Sequence, residues 1–118
     1  MSKSELQEPF LEELINSIRA SRKRLAQGLT ADTNEPDERL KEYLSHLKTN
    51  MSEEKRQMID TVFWDELRGV LHSFLVTLDG GTALADRGLI RIQDEGGVEF
   101  DRYLHELAFS HLTEEELA

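Results

Sequence analysis

The chain has 118 residues, 24 acids against 14 bases for a formal charge of −10, and no cysteine. That length fits one domain able to bury a core without a disulfide or metal, and the cysteine count excludes disulfides, Cys-ligated zinc, iron–sulfur ligation and thiol chemistry. An acidic surface repels phosphate backbones, so nucleic acid and anionic membranes are poor partners and a basic protein is a better one.

The opening Met1-Ser2-Lys3-Ser4-Glu5 has no apolar stretch of the secretory kind, and no run reaches the ~18 apolar residues of a membrane span. The expectation is a cytoplasmic protein. Residues 1–7 are expected to fray. The first helix is expected over Pro9–Gln27, where Phe10, Leu11, Leu14, Ile15, Ile18 and Leu25 recur at three- and four-residue spacing. Glu8, Glu12 and Glu13 near its start and Arg19, Arg22, Lys23 and Arg24 toward its end match the helix dipole, and Gly28 is read as its stop. After a polar linker, Pro36 suits the start of a second helix bearing the stripe Leu40, Tyr43, Leu44 and Leu47, broken at Thr49-Asn50.

Ser52 is a good N-cap for a long third helix, Ser52–Leu78, which carries the centre of the fold. It has two adjacent apolar stripes. Ile59, Phe63, Leu67, Val70, Phe74 and Leu78 form one, and Trp64, Leu67, Leu71, Leu75 and Leu78 the other. Two stripes require two packing partners, whether helices of the same chain or a second subunit. Asp79-Gly80-Gly81 ends the helix. Next, Leu89–Gln93 and Val98–Phe100 flank the turn Asp94-Glu95-Gly96-Gly97 and predict one β-hairpin. A last helix is expected from Asp101 to about Leu112, with Leu104, Leu107, Ala108 and His111 facing inward, before a frayed acidic tail over 113–118. The expected fold class is mostly α (α+β). It is a single domain with a four-helix arrangement around the long central helix and one small β-hairpin before the last helix.

His105-Glu106 followed by His111 resembles a metalloprotease helix only briefly. That motif needs histidines four apart on one face, and these are six apart. No metal and no cofactor are expected; a metal-dependent or acid–base enzyme would have to gather His72, Asp79, His105 and Glu106 through tertiary contact. Asp79-Gly80-Gly81-Thr82 is no phosphate loop, because its glycines close a helix instead of opening one. The basic run Arg19–Arg24 has no interleaved aromatics and reads as a solvated helix end.

The surface feature with functional content is the stretch 94–116, rich in acids and with Arg102 as its only base. In size and charge the chain is similar to immunity proteins that neutralise basic toxins; the similarity covers size and charge and no motif. The expected function is therefore non-enzymatic binding of a basic protein, inhibitor- or immunity-like, through Asp94, Glu95, Glu99, Asp101 and Glu106. A homodimer is expected ahead of a monomer, because so short a chain has little helix with which to cover both stripes.

Overall fold

Apolar spacing and local caps set most of the helices. The computed structural model describes residues 4–30, 36–101 and 103–117. Along these run α1 (Gln7–Thr30), α2 (Glu38–Thr49), α3 (Glu53–Leu78), a 3-10 turn (Ala83–Asp86), α4 (Leu104–Phe109) and α5 (Glu114–Leu117). Asp37 caps α2 by accepting the N–H groups of Arg39 and Leu40, and the Ser52 hydroxyl accepts the Lys55 N–H at the start of α3. At the other end of α3, Gly80 N–H donates to Thr77 C=O and Gly81 N–H to Val76 C=O. This is the Schellman pairing, and Gly80 supplies the positive φ of 82° that it requires. No described helix is long and apolar enough to cross a membrane.

α1 does not stop at Gly28. It runs through that residue to Thr30, because Gly28 is a packing position. A Cβ there would lie 3.0 Å from Leu44 Cδ1, so the bare backbone admits α2 closely. Two compact units can be distinguished. One is Ile18–Leu67 and the other combines Met1–Ser17 with Arg68–Ala118. In the first, Leu29, Leu44 and Trp64 are buried. The Arg22 guanidinium grips both carboxylate oxygens of Asp60 at 2.9 and 2.8 Å and lies 4.8 Å over the Trp64 ring. In the second, Leu11, Ile15, Leu71, Leu75, Leu104 and Ala108 make the core.

The mostly helical class stands, but its β part and the four-helix arrangement do not. The hairpin expected over Leu89–Phe100 contracts to one antiparallel bridge between Gln93 and Glu99, and no strand forms among the described residues. Three competing bonds account for this. The Asp94 carboxylate takes the N–H groups of Gly96 and Val98 for a tight turn, and the Glu99 carbonyl accepts from Ser4 N–H. The helix expected over Asp101–Leu112 is only Leu104–Phe109. Its first turn is fixed by Asp79, which accepts the N–H groups of Leu104 and His105. Its end comes at Ser110, whose hydroxyl donates to Leu107 C=O.

The described parts of both ends make side-chain contacts. Ser4 and Gln7 are buried. Gln7 Oε1 accepts Asp101 N–H at 2.6 Å while its amide donates to the Asp101 carboxylate, and Phe10 meets Phe100 edge-on at 5.5 Å. In the tail, Thr113 and Glu116 form a reciprocal capping box that holds α5. Residues 1–3 and 118 lie outside the described residues.

The two stripes on α3 are covered unequally: in the first, Ile59, Phe63, Leu67 and Leu78 are half-buried and Val70 and Phe74 exposed. Trp64, Leu71 and Leu75 are buried, whereas Val70 is 69% and Phe74 46% exposed.

Candidate functional site

The five acids expected at a protein contact divide into two groups. Asp94 is structural. Its Oδ1 anchors the turn, and its Oδ2 accepts the Ser4 hydroxyl at 2.6 Å. That hydroxyl, with the backbone N–H of Val98 and other turn residues, holds the Asp94 carboxyl below its ordinary pKa of 3.8. Asp101 is tied to Gln7. Glu99 faces Arg91 at 3.2 Å, both side chains exposed. Glu95 and Glu106 are exposed. Asp94, Glu99 and Asp101 are thus engaged by other groups of the chain, whereas Glu95 and Glu106 stand on the exposed surface. The same segment exposes Val98, Tyr103 and Phe109. Charge counting does not reveal these apolar side chains; the last was expected inside a longer helix.

The residues of the enzyme alternative partly assemble. The Asp79 side chain is 3% exposed and lies 2.5 Å from His105 Nδ1. Its Oδ1 accepts Leu104 N–H and its Oδ2 accepts His105 N–H, each at 2.9 Å. A carboxylate so placed at the end of α3 opposes the dipole of that helix but favours the start of α4. The His72 ring stands edge-on to His105, with centroids 5.5 Å apart, and edge-on to Phe109 at 5.8 Å. Glu106 does not join them and is exposed. Among the described residues, no group of three or more His, Cys, Asp or Glu side chains is placed to hold a metal. His111 lies beyond the end of α4, its Nε2 2.6 Å from Glu8 Oε2, while His105 faces Asp79.

In the basic run, Arg22 is committed to Asp60 and Trp64. A groove between Leu25, Ala26 and Leu29 of α1 and Arg56, Gln57 and Asp60 of α3 holds about 200 Å³, below the ~300–1,000 Å³ of typical small-molecule sites. Arg56 at its edge is paired with Glu53.

No protein-family model matches the chain, and no curated protein or solved structure shows significant similarity to it.

Proposed function

We propose that this is a non-enzymatic binding protein that receives a basic protein partner on the surface of residues 94–109, in the manner of an inhibitor or immunity-type protein. The observation that carries the reading is the exposure of Tyr103 (64%) and Phe109 (45%) in the same short segment as Glu95 and Glu106. Aromatic side chains are enriched at interface centres and carry much of the affinity, while rim charges mainly speed encounter and select the sign of the partner. The acids supply the long-range field, and the aromatics supply anchors that acids alone do not.

The reading is tested by affinity capture at low salt, comparing the parent with Tyr103→Ala and with the pair Glu95→Lys and Glu106→Lys. Tyr103→Ala should weaken a captured basic partner about tenfold or more, as an interface anchor does. Charge reversal should slow association and flatten its salt dependence. A partner that is held equally by all variants at every salt concentration overturns the assignment.

A second reading, self-association, is favoured by a separate observation. On α2, Leu40, Tyr43 and Leu47 are exposed, and Leu44 is the only buried residue of that helix. A helix showing most of its apolar stripe to water is suited to a second copy of itself.

A further inference from the structure

We propose that His72 and His105 form a two-imidazole site for a divalent transition-metal ion, with the buried Asp79 carboxylate as the outer-shell group that orients His105. The site does not rest on the binding reading above, although His105 lies within residues 94–109 and His72 packs against Phe109.

Asp79 is not itself a ligand. Its two oxygens already face three nitrogens: the backbone N–H groups of Leu104 and His105 and the His105 Nδ1. A carboxylate faces Nδ1 at 2.5 Å only when the proton is on that nitrogen. In the neutral ring the lone pair is then on Nε2. A buried carboxylate that fixes the tautomer and orientation of an imidazole is the usual second shell of a metal-binding histidine. The His105 side chain is 26% exposed, so its outer edge reaches solvent.

His72 supplies the second ring. Metal–nitrogen bonds of ~2.0–2.1 Å place two imidazole centroids about 5 Å apart around a tetrahedral ion. The observed separation is 5.5 Å, with the planes at 85°. His72 is exposed and packs edge-on to His105 and Phe109, so turning one of its nitrogens toward His105 is the rearrangement that metal binding requires. With only two protein ligands, the remaining coordination positions go to water or an external donor. Neutral imidazoles select zinc, copper or nickel, and they leave magnesium and calcium, which want oxygen, unbound.

The test is calorimetric titration of the tag-free full chain with zinc chloride, nickel chloride and magnesium chloride. One equivalent of zinc or nickel should bind, and magnesium should not. His72→Ala and His105→Ala should each weaken binding at least tenfold, whereas His46→Ala and His111→Ala should bind as the parent does. Asp79→Asn should weaken binding about 10–100-fold, the usual effect of an outer-shell change. Because Asp79 also caps α4, circular dichroism must first show that this variant is folded. His72 is exposed, so His72→Ala keeps the test decisive if Asp79→Asn unfolds. No zinc or nickel binding, or binding that survives His72→Ala or His105→Ala, overturns the proposal.

Discussion

Individual residues show which signals are local and which are not. The Asp37 and Ser52 caps lie within three residues of the groups they satisfy; Ser52 is read from the sequence, whereas the expected start of α2 at Pro36 passes over Asp37. The Thr113–Glu116 capping box is equally local, but an acidic run at the end of a chain reads first as a frayed tail. Ser4 with Asp94, Gln7 with Asp101 and Asp79 with His105 are separated by 90, 94 and 26 residues. No spacing rule reaches such pairs, and they decide where the candidate acids point. The carboxylates also set the response to acid. Asp60 is held below its ordinary 3.8 chiefly by its hydrogen bonds to Arg22, partly opposed by desolvation, and Asp94 is held below it chiefly by Ser4. A carboxyl whose folded pKa lies below its unfolded value contributes stability that is fully present above the unfolded value. That stability is lost as pH falls through the lowered folded value. Urea unfolding should therefore show stability falling below about pH 4. Asp60→Asn should be less stable at neutral pH by about 0.2–1 kcal/mol, the range for a solvent-screened pair, and its acid slope should be shallower. Parallel slopes for parent and variant would show that the Arg22 pair contributes nothing to this dependence.

Elements are read well where one period dominates and poorly where two uses compete. The limits of α2 and α3 follow from stripe and cap, and Gly80 closes α3 as its position implies. The extended pattern over Leu89–Phe100 is real, yet its backbone groups are taken by the Asp94 turn and by Ser4 before a ladder can form. Likewise the two stripes of α3 are equally apolar in sequence, and only the fold shows that the one through Leu71 and Leu75 is the more deeply covered. This distinction has a measurable consequence. Leu75 is 1% exposed and Phe74 46%. Leu75→Ala should cost about 2–5 kcal/mol through lost transfer energy and a cavity. Phe74→Ala, although it removes more atoms, should cost less than about 1 kcal/mol, as surface changes do. Equal losses at both positions by chemical denaturation would mean that the less buried stripe is covered in solution, and the assignment of faces would have to be reversed or a partner invoked.

At the scale of the whole molecule, the opposing facts are a charge of −10 and apolar side chains left in water. A helix of twelve residues such as α2 is marginal alone and draws its stability from burying one face. Here only Leu44 is buried, against the close backbone of Gly28. Leu40, Tyr43 and Leu47 continue that stripe into solvent. If a second copy covers them, two chains of like charge must approach, and the repulsion falls as salt shortens the Debye length from about 30 Å at 0.01 M to about 3 Å at 1 M. Self-association should therefore tighten with added salt, opposite in sign to capture of a basic partner by the acidic segment. Sedimentation at micromolar concentration should show a species of twice the 13.6 kDa chain mass, with its fraction rising between low and high sodium chloride. Tyr43→Glu or Leu47→Glu should return it to the single-chain mass with helicity unchanged, because both side chains are already in water. A 13.6 kDa species at every salt concentration would leave the α2 stripe without a second copy.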